Sequence, residues 1–279
     1  MENGINVVVW SQNVGRGIAH CNLILVMKWT MSSSYNEYLL VCFCLNSVLD
    51  CMEVFSKGIH RALVPIDGHG GSTAGVELSE SASGYRMVTQ MDVLRFLKSS
   101  DDEDLTKVMS HNIKEVGGVV EIIFGASEKA RVIDAIKNMR TAALAAVPIL
   151  ESSNDVAEDH KQLINARGRK LKGTFSATDL RGCPIGQLQS WLSLGVLEFI
   201  EKLSATAFHE TSGLRNSYRE AVTCHEESPL GEVVEKAVSN HVHRIWVVDQ
   251  QQAGLLVGVV SLTDMIRVIR GCLVSDSSM

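Results

Sequence analysis

Hydrophobic and polar positions repeat along this chain in one plan, written three times. Each copy reads as a helix with an apolar face, a β-branched strand, a second strand, and a helix opened by Ser/Thr-x-x-Asp. The last copy is the cleanest. Leu230, Val233, Val234, Ala237 and Val238 fall at i, i+3, i+4, i+7 and i+8 behind Ser228-Pro229, the spacing of a capped amphipathic helix. His243 to Asp249 and Leu255 to Val260 predict two strands, and Ser261-Leu-Thr-Asp264 opens a helix running to about Arg270.

The middle copy follows the same grammar. A helix is predicted over 127–140, with Val132, Ile133, Ile136 and Met139 on one face, then strands Ala143 to Leu150 and Leu171 to Phe175, then Ser176-Ala-Thr-Asp179. The first copy has a helix over 46–56, strands His60 to Asp67 and Tyr85 to Val88, and Thr89-Gln-Met-Asp92. Asp92, Asp179 and Asp264 follow one another at intervals of 87 and 85 residues. Matching local grammar at nearly equal spacing identifies an internal repeat.

Connections vary where the repeats do not. Gly68 to Gly84 predicts a Gly/Ser-rich loop, and Glu151 to Lys170 a polar one. Ile185 to Leu203 predicts an amphipathic helix carrying Leu188, Trp191, Leu192, Val196 and Ile200, and His209 to Tyr218 a loop. Residues 1–45 hold one strand-like run, Ile5 to Trp10, a second apolar run, Leu23 to Met27, and no Ser/Thr-x-x-Asp element, so the repeat assigns them no role.

Composition narrows the class. Of 279 residues, 46% are hydrophobic and 21% charged, which suits a globular chain, and the net charge of −6 without a basic run argues against a nucleic-acid binder. Seven cysteines without a CxxC pair suit reduced thiols, and the lone Cys42/Cys44 pair has no second half for zinc. The longest apolar run, Tyr38 to Leu45, falls short of the ~20 residues of a membrane span. No signal peptide is evident, so a cytoplasmic or nuclear protein is expected. The basic cluster at Arg167 to Lys172 reads as the end of a solvated loop rather than an import signal.

Catalytic motifs are missing. Gly68 to Gly75 lacks the Gly-Lys-Ser/Thr ending of a phosphate loop, and neither Gly-x-Ser-x-Gly nor His-Glu-x-x-His occurs. Cys183 beside Pro184 reads as a packing thiol, and Trp246 as core. The chain is therefore expected to be no enzyme.

These residues resemble the cystathionine-β-synthase (CBS) repeat, and most closely the gamma subunits of AMP-activated protein kinases and their plant sucrose-nonfermenting-related, gamma-like relatives. HVHRIWVVD with LLVGVVSLTDMIRVI is similar to the fourth repeat of that family, IHRALVPID with MVTQMDVLRFL to the second, and RTAALAAVPIL with KGTFSATDL to the third. The resemblance implies an α/β fold of β-α-β-β-α units paired as Bateman modules, with the first family repeat missing or replaced. It divides the chain into an unassigned segment 1–45, repeats at 46–100, 105–183 and 219–272, and a connecting helix and loop at 184–218. The second and third copies are expected to form an intact module. The first copy's pairing surface then seeks another chain or residues 1–45, since one unit buries little core alone.

The resemblance also implies a chemistry. In the family the Ser/Thr-x-x-Asp aspartate holds ribose, and the His and Arg before the strand reach phosphate. Matched by position, the ribose candidates are Asp92, Asp179 and Asp264 with Thr89, Ser176 and Ser261, and the phosphate candidates are His60, Arg61, His243 and Arg244. The physics agrees. Helix N-termini favour anions, arginine forks onto phosphate, and a carboxylate accepts both ribose hydroxyls. The middle copy has Ala143-Leu144 where the others have His-Arg, and so lacks that grip. Each Ser/Thr-x-x-Asp could equally be a plain helix cap. Two readings stay open: a gamma-like regulatory subunit of a heterotrimeric kinase, binding AMP, ADP or ATP and partnered by alpha and beta subunits, or a CBS scaffold that binds no nucleotide and self-associates as a homodimer. No metal, membrane or nucleic-acid partner is expected.

Overall fold

The computed structural model describes residues 6–10, 24–28, 39–42, 47–65, 85–152, 159–205, 221–252 and 254–276. Strands β1 (Asn6–Trp10), β2 (Ile24–Lys28) and β3 (Leu39–Cys42) precede the first repeat. That repeat comprises α1 (Val48–Ser56), β4 (Arg61–Pro65), β5 (Tyr85–Thr89) and α2 (Gln90–Lys98). The next elements are α3 (Glu103–Ser110), β6 (Phe124–Ser127), α4 (Val132–Thr141), β7 (Ala146–Leu150), β8 (Ile164–Asn165), β9 (Leu171–Ser176), α5 (Ile185–Trp191) and α6 (Val196–Ser204). The third copy is β10 (Thr223–Cys224), α7 (Leu230–Ser239), β11 (Arg244–Val248), β12 (Leu256–Ser261) and α8 (Leu262–Asp276). No helix among the described residues is long and apolar enough to cross a membrane.

Several expectations shift. Residues 185–203 form two helices, α5 and α6, because the chain turns at Leu192–Gly195 and Gly195 caps the second. The acidic-to-basic connection of the middle copy contains a strand, β8, antiparallel to β6. Ser176-x-x-Asp179 opens only a 3-10 turn, Asp179–Gly182, which Pro184 keeps from running on into a helix. The 68–84 and 209–218 loops lie outside the described residues.

Among the described residues three sheets result, in the orders β1-β2-β3-β4-β5, β8-β6-β7-β9 and β10-β11-β12. The repeats stack through alternating surfaces. Helices α1 and α2 of the first copy pack on α7 and α8 of the third around a shared core that includes Met52, Phe55, Leu94, Val234, Met265 and Ile269. Glu53–Arg270 and Lys98–Glu235 ion pairs close the seam at 2.7 and 2.5 Å. The third copy's sheet meets the middle copy's sheet through Trp246, Val248, Leu256 and Leu150, and Trp246 Nε1 donates to Thr174 Oγ1 at 2.7 Å. The middle copy keeps its own helical core, where Phe199 meets Phe175 and Trp191 edge-on. The middle and third copies therefore pair through their sheets, and the first copy joins them through helices.

The chain between α3 and β6 crosses to the third copy, where Val120 and Val259 exchange backbone hydrogen bonds at 2.9 Å. Gly258 permits this approach, because a Cβ there would meet Val119 Cγ1 at 2.3 Å.

Each repeat turns from helix into strand through one residue of positive φ: Gly58 at +89°, Ala143 at +54° and His241 at +53°. Glycine adopts this left-handed cap without a Cβ clash, whereas alanine is strained there. Ala143→Gly is therefore expected to stabilise the fold by about 0.5–1 kcal/mol, read from urea unfolding. A neutral or destabilising result would show that the turn carries no strain.

Candidate anion-binding site at the repeat junction

One hairpin register places the chemistry in every copy. Arg61 lies across from Thr89, Ala146 from Ser176, and Arg244 from Ser261. A backbone bond locks each pairing: Gln90 N–H donates to His60 O at 3.3 Å, Ala177 N–H to Ala145 O at 2.9 Å, and Leu262 N–H to His243 O at 3.1 Å. The middle-copy counterparts of His-Arg are therefore Ala145-Ala146, not Ala143-Leu144. Ala143 instead matches Gly58 and His241. The sequence alignment slipped by two residues because the turn preceding the strand is invisible to apolar periodicity. The middle copy lacks the cationic pair under either alignment.

Two of the Ser/Thr-x-x-Asp elements fold as reciprocal helix caps, and the middle one keeps only half of that arrangement. Thr89 and Asp92 form a reciprocal capping box, with Thr89 N–H donating to Asp92 Oδ2 at 3.0 Å and Asp92 N–H to Thr89 Oγ1 at 3.3 Å. Ser261 and Asp264 repeat it at 3.0 and 3.2 Å. In both, the second carboxylate oxygen meets an arginine three residues on: Asp92 with Arg95 at 3.2 Å, Asp264 with Arg267 at 2.8 Å. Asp264 is buried and Asp92 exposed, and both arginines are half exposed.

In the middle copy, Ser176 N–H donates to Asp179 Oδ2 at 2.7 Å, and Ser176 and Thr178 bond through their hydroxyls. Position 182 is glycine, so no arginine stands three residues beyond Asp179. Burial pushes the Asp179 carboxyl up to about 7, against the pull of the Ser176 N–H.

The first and third copies bring their halves together. Gln90, buried at the start of α2, donates from Nε2 to Thr263 Oγ1 at 2.8 Å and to Ile59 O at 3.1 Å, so the N-termini of α2 and α8 are tied side by side. The basic pairs converge at the same place. His243 keeps an exposed edge, yet its pKa is lowered, first by burial and then by the charges of His60, Arg244 and Arg61. Arg244 is also lowered by burial, opposed by nearby Asp264, and its Nη1 donates to Ala146 O at 2.7 Å across the sheet interface. Thus His60, Arg61, His243 and Arg244 gather beside the Thr89 and Ser261 caps. Ser176 adjoins through the Ala146 carbonyl, and Asp179 lies buried in its own turn.

Sequence reasoning missed Gln90, Thr263, Arg95 and Arg267. The last two carried a signal, since the first and third copies share Ser/Thr-x-x-Asp-x-x-Arg. The Gln90–Thr263 bond joins residues 173 apart, and no local pattern announces it.

Four basic groups and two helix N-termini, in a chain of net charge −6, form a positive cluster suited to a small oxyanion. The buried thiols Cys51, Cys183 and Cys224 add no activated nucleophile to it. Burial pushes the Cys51 and Cys224 thiols up to about 11 and about 12, and raises Cys183. Among the described residues no metal-ligating cluster occurs.

The CBS domain family matches residues 217–271. The chain is 48% identical over 266 residues to the SNF1-related protein kinase regulatory subunit gamma-like PV42a of Arabidopsis thaliana, which covers 94% of this chain and 68% of that one. It is 45% identical over 231 residues to gamma-like PV42b of the same plant, covering 83% and 63%. The crystal structure of an uncharacterized conserved protein from Pyrococcus horikoshii superposes with a TM-score of 0.53 at 14% identity, over 82% of this chain and 78% of that one, a likeness of fold alone.

Asp179 supplies a pH test. Its folded pKa exceeds the unfolded one, so the folded state binds more protons and its contribution to stability falls as pH rises from about 4 through about 7. Asp179→Asn removes this dependence while keeping an acceptor for Ser176 N–H. The variant is expected to gain on the wild type between pH 5 and 7 in denaturant unfolding and to level off above that. A constant difference would contradict the assignment.

Proposed function

This chain belongs to the family of SNF1-related protein kinase gamma-like regulatory subunits, and from that premise we propose that it senses adenine nucleotides for a heterotrimeric kinase. Membership in that family makes it a regulatory rather than a catalytic protein. The chain spans 68% of the gamma-like PV42a and 63% of the gamma-like PV42b relative, so its kinase partners, alpha and beta subunits, belong to the proposal.

The observation that carries the proposal is the convergence of His60, Arg61, His243 and Arg244 at the paired caps of α2 and α8. A nucleotide phosphate seated there relieves the mutual repulsion of four basic groups. AMP, ADP and ATP all offer that phosphate. Asp264 and Asp92 are the ribose acceptors: the cap uses one oxygen, and the other is held only by an arginine half open to solvent, which can swing aside. Regulation follows by linkage. A nucleotide that prefers one packing of copies one and three shifts the surface a kinase meets, by no more than its differential affinity.

One observation favours a nucleotide-free scaffold. Every Ser/Thr-x-x-Asp carboxylate already accepts the backbone N–H of its own Ser or Thr, and the middle copy has alanines at the phosphate positions.

Calorimetric titration of AMP, ADP and ATP into the full chain separates the two. Saturable binding is expected for at least one nucleotide, weakened at least ~10-fold, or about 1.4 kcal/mol, in His243→Ala and in Arg61→Ala. Binding should also strengthen as pH falls through the lowered His243 pKa, because an anion favours the protonated ring. No heat from any nucleotide on a folded chain would leave the scaffold reading.

A further inference from the structure

Helices α2 and α3 are joined by Ser99-Ser100-Asp101-Asp102, and α3 then opens with Glu103 and Asp104. Two adjacent hydroxyls are thus followed by a run of carboxylates from Asp101 to Asp104, every one of them exposed. Half of that run serves the fold. Asp102 Oδ1 accepts from Leu105 N–H at 2.9 Å and caps α3, and Asp104 pairs with Lys107 at 2.9 Å. Asp101 and Glu103 have no hydrogen bond or ion pair among the described residues.

The hydroxyls divide in the same way. Ser99 Oγ donates to Phe96 O at 2.8 Å and so closes the last turn of α2. Ser100 is anchored by its backbone, with its N–H on Leu97 O at 3.2 Å, and its hydroxyl has no partner among the described residues. It is partly exposed. Ser100, the residue after it and the residue three after it therefore share one property: the fold asks nothing of their side chains. Carboxylates just C-terminal to a serine are what a basic peptide groove recognises, through charge-assisted hydrogen bonds.

We infer that Ser100 is a phosphorylation site for an acidophilic serine kinase, with Asp101 and Glu103 as the residues its groove reads. In the transfer, Ser100 Oγ attacks the terminal phosphorus of ATP and the bond from that phosphorus to the β-phosphate oxygen breaks. ADP leaves, and the hydroxyl proton passes to the base of the kinase. The product lies at a joint of the fold. Ser100, Lys98, Thr106 and Val234 line one cavity of about 220 Å³ between α2, α3 and α7, which leaves room for a phosphate. Lys98 there holds Glu235 of α7 at 2.5 Å, closing the seam between the first and third copies. A group carrying roughly −1.5 to −2 charges is thus added beside the cation of that seam. This inference does not depend on nucleotide binding at the junction.

Incubating the full chain with ATP and a purified acidophilic kinase of the casein-kinase type, followed by peptide mass mapping, tests it. Phosphate is expected on Ser100, lost in Ser100→Ala and kept in Ser99→Ala. Glu103→Gln should slow incorporation roughly tenfold, the loss of one charge-assisted contact, with an unchanged circular-dichroism spectrum and thermal midpoint. A kinase that selects basic flanking residues should leave Ser100 unmodified. Phosphate on Ser99 in place of Ser100, incorporation indifferent to Glu103→Gln, or none at all on the folded chain would each overturn the proposal.

Discussion

A strand's first residue faces a helix cap across the sheet, and this register positions every candidate side chain in the molecule. Arg61 with Thr89 and Arg244 with Ser261 are the same pair of positions in two repeats. The hairpin alternates inward and outward, so a one-residue slip would turn the arginines into the helical core and the valines into solvent. The cap then sets the helix start, and the helix start brings an N-terminal dipole to the basic side chains. Sequence dictates the register through alternation, and the register dictates the site.

Stacking multiplies what one repeat cannot do. A single unit of about 55 residues buries little core, and each copy here finds a different remedy. The first and third share one helical core, the third and middle share a sheet interface, and the middle copy encloses its own helical side with α5 and α6. The helical seam has a functional cost. It presses two cationic pairs together, and their charges add to burial in lowering the pKa of His243. An anion at that spot offsets both the charge and the exposed helix N-termini. The middle copy, with Ala145-Ala146, carries no such charge and contributes a carbonyl to Arg244 instead.

Much of this was legible in the sequence. Apolar spacing marked α7 and the hairpin strands, and Thr89-x-x-Asp92 and Ser261-x-x-Asp264 marked the caps of α2 and α8, because caps and amphipathic faces are local properties. The four basic residues were legible as a set by their matching positions. Their convergence was not, since it rests on Gln90 reaching Thr263 and on which repeat packs against which. The two-residue strands β8 and β10 were missed because they are too short to alternate. The slip at Ala143 arose where a left-handed turn holds alanine and histidine in place of glycine. The middle motif, read as a helix start, proved a 3-10 turn because Pro184 follows it within five residues.

On the proposed function the junction grips a phosphate rather than a base. The most direct measurement compares the thermal midpoint of the full chain with AMP and with adenosine, each at the same excess. At ~100 times its dissociation constant AMP adds about 2.7 kcal/mol of stability, so a clear upward shift is expected with AMP and little or none with adenosine. Equal shifts from both ligands, or no shift from AMP, would contradict the account.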